Sequence, residues 1–273
     1  MITRTIATTI ADIVVQDSEG LGAAVLLIHG NSSCRKIFRR QLESPLARAF
    51  RLVAMDLPGH GASGDARDPA TGYTLAGYGT AALEVLRALG VYRATVFGWS
   101  LGGHVALDMI SRFGGMTGVM ICGAPPVPGG VEGVALGFQP SEHMALAGAG
   151  DWTPEQTEAF ARETAGAGAP FEAFMLAAAR RTPGLARQTF FANALGGAVD
   201  DQRRIAETAK IPLAILNGAE DAFINPAYFD TIAYANLWDG QVHRLEGLGH
   251  APFWEDPGRF NPLLERFVRE TSG

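Results

Sequence analysis

Unbroken apolar runs that alternate with segments of helical periodicity constrain the fold of this chain most strongly. A strand buried on both faces needs apolar side chains on both, so its sequence reads as a continuous apolar run. Such runs occupy 23–30 (AAVLLIHG), 51–61 (RLVAMDLPGHG), 94–100 (ATVFGWS) and 117–125 (TGVMICGAP), with helical patterns over 41–50, 73–90 and 101–113. Strands that alternate with helices in this way predict a parallel sheet covered on both faces.

The alternation is interrupted between residues 126 and 208. This stretch is rich in Ala and Gly, has no convincing strand pattern, and shows helical spacing over 154–164 and 170–181. Outside it, the remaining patterns are weak antiparallel-strand alternation over 4–16, apolar runs over 211–221 and 241–250, and a helix over 261–270. We therefore predict an α/β core formed by 1–125 and 209–273, with 126–208 inserted as a helical cap.

Charge and cysteine content narrow the classes of partner and compartment. The 273-residue chain has a net charge of −6, so it offers no basic stripe for nucleic acid or for an anionic membrane. No apolar run approaches the roughly 18 residues of a membrane helix, and the first residues lack a signal-peptide pattern. Two cysteines, Cys34 and Cys122, are too few for a disulfide scaffold. We expect a cytoplasmic protein, monomer or homodimer, that acts on a small molecule and has neither nucleic acid nor membrane as partner.

A serine lies between glycines where the third apolar run changes into a helical segment. The sequence GWSLGG places Gly98 and Gly102 on either side of Ser100. A nucleophile elbow is a tight strand-to-helix turn of the pattern G-x-S-x-G, and its flanking residues must be small. The pattern predicts that Ser100 is a nucleophile. The alternative is an ordinary turn serine, because Gly and Ser are common in turns.

A serine nucleophile needs a base, and the base needs an acid to orient it. Among the six histidines, His250 is the predicted base, because it follows the last apolar run at the sheet edge where open parallel sheets present their sites. His104, one helical turn after the serine, is interpreted as a packed helix residue. Asp221, at the end of the fifth run, is the predicted acid, with its neighbour Glu220 as the alternative. The order Ser100, Asp221, His250 is that of one hydrolase class.

Five motifs resemble the α/β-hydrolase fold superfamily in order and spacing: HGN, DLPGHG, GWSLGG, NGAED and GHAPFWEDP. Within it, IHGNSS, FGWSLGGH, MALAG and GHAPFWE resemble the metal-independent N-acyl-homoserine lactonases most closely. The resemblance implies an α/β-hydrolase fold, with a mostly parallel central sheet flanked by helices and an inserted helical cap. It implies a triad of Ser100, Asp221 and His250 and an oxyanion hole formed by Asn31 and Leu101. No metal or other cofactor is implied.

The resemblance also implies a substrate, the lactone ring of an N-acyl-homoserine lactone, opened by ester hydrolysis. Four apolar side chains of the cap are expected to line the acyl chain: Phe138, Met144, Trp152 and Phe160. The alternative is that they form a small core of the cap itself. Such lactonases are expected to carry a tyrosine near position 160, and the phenylalanine present cannot donate a hydrogen bond. A general carboxylesterase, a cofactor-free perhydrolase or C–C hydrolase, and a non-catalytic ligand receptor are the alternatives on the same constellation.

Overall fold

A single eight-stranded sheet organises the chain in the computed structural model, which describes residues 1–166 and 168–273. Its strands are β1 (Ile2–Ala7), β2 (Asp12–Asp17), β3 (Ala24–Ile28), β4 (Arg51–Met55), β5 (Ala94–Trp99), β6 (Met116–Cys122), β7 (Leu213–Gly218) and β8 (His243–Leu245). They lie in the order β1-β2-β4-β3-β5-β6-β7-β8. The pairs β1–β2 and β2–β4 are antiparallel, and the other five pairs are parallel. The predicted mostly parallel sheet is confirmed.

Helices follow most strands and cover the sheet. Those outside the predicted insertion are α1 (Arg39–Leu42), α2 (Leu46–Ala49), α3 (Pro69–Gly72), α4 (Leu75–Ala88), α5 (Leu101–Met109), α12 (Pro252–Glu255) and α13 (Pro257–Thr271). Between β6 and β7 lie α6 (Val131–Gly137), α7 (Glu142–Leu146), α8 (Pro154–Ala165), α9 (Ala173–Arg181), α10 (Gly184–Leu195) and α11 (Gln202–Thr208). None of the helices in the described ranges is long and apolar enough to cross a membrane.

The apolar runs are continuous because each central strand contributes side chains to two hydrophobic cores, one on each face of the sheet. Along β3, Leu26 and Ile28 point into the core shared with α4 and α5, while Val25 and Leu27 point into the core shared with α12 and α13. All four side chains are fully buried. Side chains alternate across a strand, so a strand covered on both faces favours apolar residues at successive positions.

Two buried histidines join the segments that follow β3 and β4. The backbone N–H of Leu57 donates to His29 Nε2 at 3.0 Å, and His29 Nδ1 therefore carries the proton that it donates to the Gly30 carbonyl at 2.7 Å. His60 Nδ1 donates to the Pro58 carbonyl at 2.9 Å, and the two rings lie 5.2 Å apart. Burial lowers the pKa of His29 to about 4 and that of His60 to about 3. Both rings are neutral in the folded protein near neutral pH.

We expect this pair to make the protein less stable as the pH falls from about 6.5 towards 4. An unfolded histidine has a pKa near 6.5, so below that pH the unfolded chain binds protons that the folded chain does not. Each buried histidine then lowers the free energy of unfolding by up to about 2 kcal/mol between pH 6.5 and pH 5. Urea denaturation at pH 7 and pH 5 measures the loss. His60→Asn, whose amide still reaches a carbonyl, should lose less between these pH values than the wild type. Parallel pH dependence of the two proteins would contradict the assignment.

Candidate active site

Ser100 occupies a strained turn between β5 and α5. Its backbone has φ 53° and ψ −122°, which is rare for a residue with a side chain. The Ser100 N–H donates to the Cys122 carbonyl at 2.7 Å and holds the turn against β6. A Cβ atom at Gly98 would lie 2.1 Å from the Gly102 carbonyl oxygen, and one at Gly102 would lie 2.1 Å from that of Ile28. The two flanking glycines are therefore required by the close approach of backbone to backbone.

His250 and Asp221 form a buried pair at the same edge of the sheet. His250 Nδ1 lies 2.8 and 3.0 Å from the two carboxylate oxygens of Asp221, and the residues are 4% and 5% exposed. The Phe223 N–H and the Asn217 amide also donate to this carboxylate, at 3.0 and 3.3 Å. Glu220, the alternative acid, is exposed. A carboxylate bonded to Nδ1 leaves Nε2 of the ring to face a reacting group.

A cavity of about 90 Å³ connects these groups. Ser100, His250, Asn31 and Leu101 line it together with mostly apolar side chains. Within the described part of the chain, no hydrogen bond is made by Ser100 Oγ. Hydrogen bonds between a nucleophile and its base are often long until substrate binds, so this geometry is compatible with a serine–histidine pair.

Two backbone N–H groups beside Ser100 have no partner among the described residues, those of Asn31 and Leu101. Leu101 is the first residue of α5, where the helix offers its N–H no acceptor. The side-chain amide of Asn31 donates to the Ala147 carbonyl at 2.8 Å, so it fastens the loop and leaves the backbone to face the cavity. A Cβ atom at Gly30 would lie 3.0 Å from Ser100 Cβ, so the loop lies directly against the serine. The arrangement can offer two donors to an oxyanion.

Three of the four side chains expected to contact substrate line the cavity: Phe138, Met144 and Phe160. The fourth, Trp152, does not line this cavity, and its ring packs against Phe160 at a centroid distance of 4.7 Å. The Arg187 guanidinium covers the Trp152 ring at 3.7 Å. Trp152 thus supports Phe160 from outside, a relation that sequence spacing does not reveal.

Glu255 is a further residue of the site that the motifs of the sequence do not indicate. Its carboxylate accepts the N–H of Gly249 at 2.9 and 3.0 Å and the N–H of Ala251 at 3.1 Å. These residues immediately precede and follow His250, so one side chain holds the loop on both sides of the imidazole. Burial raises the pKa of the Glu255 carboxyl. The signal available in the sequence was an acidic residue five positions after His250, in an otherwise apolar segment.

The side chains around the cavity do not form a metal site. Across residues 1–166 and 168–273, no three His, Cys, Asp or Glu side chains form a group that could hold a metal ion. Among the polar groups at the cavity are a hydroxyl, an imidazole paired with a carboxylate, and two backbone N–H groups without a partner among the described residues.

The chain is similar to known enzymes over almost its whole length. The model of the alpha/beta hydrolase family matches residues 25–263. The crystal structure of the N-acyl homoserine lactonase AidH complexed with N-butanoyl homoserine superposes with a TM-score of 0.96 at 42% identity, covering 99% of this chain and 97% of that one. An esterase from Rhodococcus sp. superposes with a TM-score of 0.79 at 26% identity, covering 99% and 100%. The pimeloyl-acyl-carrier-protein methyl ester esterase of Aromatoleum aromaticum is 30% identical over 261 residues, 90% of this chain and 98% of the relative. The fold class predicted from the motifs is confirmed, and the chain belongs to the alpha/beta hydrolase family.

Proposed function

We propose that the protein hydrolyses carboxylic ester bonds and opens the lactone ring of N-acyl-homoserine lactones through an acyl-enzyme. Ser100 is the nucleophile, His250 the general base and acid, and Asp221 the residue that orients the imidazole. The backbone N–H groups of Asn31 and Leu101 form the oxyanion hole. The helical insertion over 126–208 acts as a cap whose side chains enclose the acyl chain.

The observation that carries this proposal is the lining of one cavity. Ser100, the buried His250–Asp221 pair and the two free N–H groups meet there, and the cap contributes Phe138, Met144 and Phe160. A few polar groups in a mostly apolar cavity suit a ligand with one reactive polar group and an apolar chain.

The first half of the reaction forms the acyl-enzyme. Ser100 Oγ attacks the lactone carbonyl carbon while His250 Nε2 takes the hydroxyl proton. The carbonyl electron pair moves onto oxygen, where the N–H groups of Asn31 and Leu101 stabilise the charge without having to reorganise. The ring C–O bond then breaks, and His250 returns the proton to the departing ring oxygen. The new hydroxyl remains tethered to the acyl group on Ser100.

The second half of the reaction releases the product. His250 accepts a proton from water as the water oxygen attacks the acyl carbon, and then protonates Ser100 Oγ as the ester bond to the enzyme breaks. The product is the ring-opened N-acyl homoserine. The tethered hydroxyl could re-close the ring instead, so the cap must admit water while the acyl chain is held.

The choice of lactone as substrate is supported by similarity to the lactonase AidH, which is 42% identical and was crystallised with N-butanoyl homoserine. The more general activity on esters is supported by the two esterases among the relatives. A general carboxylesterase is the second candidate, because Phe160 lines the cavity with a side chain that cannot donate a hydrogen bond to a lactone.

Chelator-treated protein should open N-hexanoyl-homoserine lactone in a reaction that depends on Ser100. Proton release measures ring opening, and p-nitrophenyl butanoate measures ester cleavage in parallel. Ser100→Ala, assayed beside the wild type, should lose both activities because each requires the Oγ nucleophile. Ester cleavage without ring opening would make the protein a carboxylesterase. Ring opening that survives Ser100→Ala would contradict the proposed nucleophile.

A further inference from the structure

One polar pair lines the cavity without a role in the proposed reaction. His104 lies on α5 and Gln202 begins α11, and both contribute to the cavity wall. His104 Nδ1 lies 2.7 Å from Gln202 Oε1, and Gln202 Nε2 donates to the His104 carbonyl at 2.9 Å. The His104 ring also packs near Phe138, at a centroid distance of 5.8 Å, and Phe138 lines the same cavity.

These two hydrogen bonds determine the tautomer of His104. The Gln202 NH₂ group must face the backbone carbonyl, because a carbonyl can only accept, and this directs Gln202 Oε1 towards the ring. Oε1 also can only accept, so His104 Nδ1 carries the proton. Burial lowers the pKa of His104, which keeps the ring neutral. A neutral ring with its proton on Nδ1 presents an unprotonated Nε2, which is an acceptor.

The other polar side chains of the cavity wall have assigned partners or belong to the reaction. The Asn31 amide donates to the Ala147 carbonyl, and the Thr164 hydroxyl donates to the Phe160 carbonyl at 2.9 Å. His104 Nε2 has no hydrogen-bond partner in the described ranges of the chain. A free acceptor in this cavity, apart from the reacting groups, favours a ligand that brings a donor to that point.

We infer that His104 is a specificity-determining residue whose Nε2 accepts a hydrogen bond from a hydroxyl group on the third carbon of the substrate's acyl chain. This inference rests on the proposed lactonase function. It assigns to Gln202 a positioning role, because Gln202 holds His104 in the accepting tautomer.

The position of His104 suits that carbon. His104 is four residues after Ser100 on α5 and therefore lies roughly 6 Å along the helix axis from it. From the lactone carbonyl carbon, five bonds lead through the amide to the third acyl carbon, and an extended chain covers about 1.2 Å per bond, or roughly 6 Å. The hydroxyl on this carbon can thus reach His104 while the lactone carbonyl lies at Ser100.

The same geometry disfavours a keto group on that carbon. A ketone oxygen can only accept, so it would face the lone pair of Nε2 with no proton between them. The ring cannot readily supply the proton, because Gln202 Oε1 holds it on Nδ1. The substituent is remote from the scissile bond, so both lactones have the same intrinsic reactivity and any difference reports binding in the cavity.

The test compares three lactones with hexanoyl, 3-hydroxyhexanoyl and 3-oxohexanoyl chains. The wild type should have a kcat/KM about five- to tenfold higher for the 3-hydroxy than for the 3-oxo substrate, the effect of one hydrogen bond. His104→Leu should reduce this ratio to within about twofold of one. Gln202→Leu keeps the imidazole but removes the acceptor that holds its proton on Nδ1. The ratio should therefore also fall, mainly because kcat/KM for the 3-oxo substrate rises.

Thr164→Val is the matched control, since it removes a hydroxyl of the same cavity wall that is already paired, and the selectivity ratio should not change. Cleavage of p-nitrophenyl acetate shows in each variant that the fold and the reacting groups are intact. A ratio that is unchanged in both His104→Leu and Gln202→Leu, or a wild-type ratio near one, overturns the inference. A wild type that cleaves p-nitrophenyl acetate but opens none of the lactones refutes the proposed function, and this inference with it.

Discussion

Ser100→Gly is expected to abolish hydrolysis while making the protein more stable. Removal of Oγ leaves no nucleophile, so kcat for lactone and p-nitrophenyl ester should fall by about 10,000-fold or more. Ser100 also holds φ 53° and ψ −122°, a conformation that costs a residue with a side chain about 1 to 3 kcal/mol. Glycine adopts it without that strain. The free energy of unfolding should therefore rise by about 1 kcal/mol or more, measured by urea denaturation.

Ser100→Ala separates the two effects. Alanine removes the hydroxyl but keeps Cβ, so activity should fall as far as in Ser100→Gly without the gain in stability. If both variants retain activity, the nucleophile assignment is wrong. If glycine gives no more stability than alanine, the turn is not strained in the way its backbone angles indicate. A serine kept at a strained position, where glycine would be more stable, is what a functional constraint produces.

The second large effect is expected for Asp221→Asn. An asparagine at this position cannot stabilise the imidazolium with a charge. Its NH₂ group can also donate to His250 Nδ1, which places the ring proton on Nε2, where it prevents the ring from acting as a base. We expect kcat to fall about 1,000- to 10,000-fold with little change in KM, since the carboxylate does not touch substrate. Steady-state kinetics with p-nitrophenyl butanoate and N-hexanoyl-homoserine lactone measure both constants.

Glu220→Gln is the matched control for the acid. Glu220 is the neighbouring carboxylate and is exposed, and its backbone N–H, which donates to the Leu248 carbonyl at 3.0 Å, is unaffected by the substitution. Its kcat should remain within about twofold of the wild type, because a solvated carboxylate away from the imidazole contributes little. The opposite pattern, with Glu220→Gln inactive and Asp221→Asn active, would reverse the assignment of the acid.

Much of the fold could be predicted from the sequence because burial determines composition locally. The runs at β3, β4, β5 and β6 are mostly apolar because both faces of the sheet are covered, and this pattern is visible without partners. The order of the strands in the sheet could not be predicted in this way. That β4 lies between β2 and β3 is a matter of pairing between segments distant in sequence, which no local pattern encodes.

The candidate site divides in the same way. Ser100 could be proposed from a short motif, because a tight strand-to-helix turn requires small residues on both sides of the nucleophile. His250 could be proposed because it follows the last apolar run, at the sheet edge where open parallel sheets present their sites. Asp221 is the acid that the sequence predicts, with Glu220 as the alternative, since adjacent residues of one turn differ only in the direction of their side chains. In the folded chain Asp221 faces His250, and Glu220 faces solvent.

By itself, the sequence determined which segments are buried strands, where the elbow lies and the order of the proposed triad, because each depends on residues that are neighbours along the chain. Only the tertiary structure decided which carboxylate pairs with His250, that Trp152 supports Phe160 from behind, and that Glu255 holds the histidine loop. It also joined His104 to Gln202 across 98 positions of sequence. These relations depend on the directions of side chains brought together by long-range packing, and spacing along a chain carries no information about them.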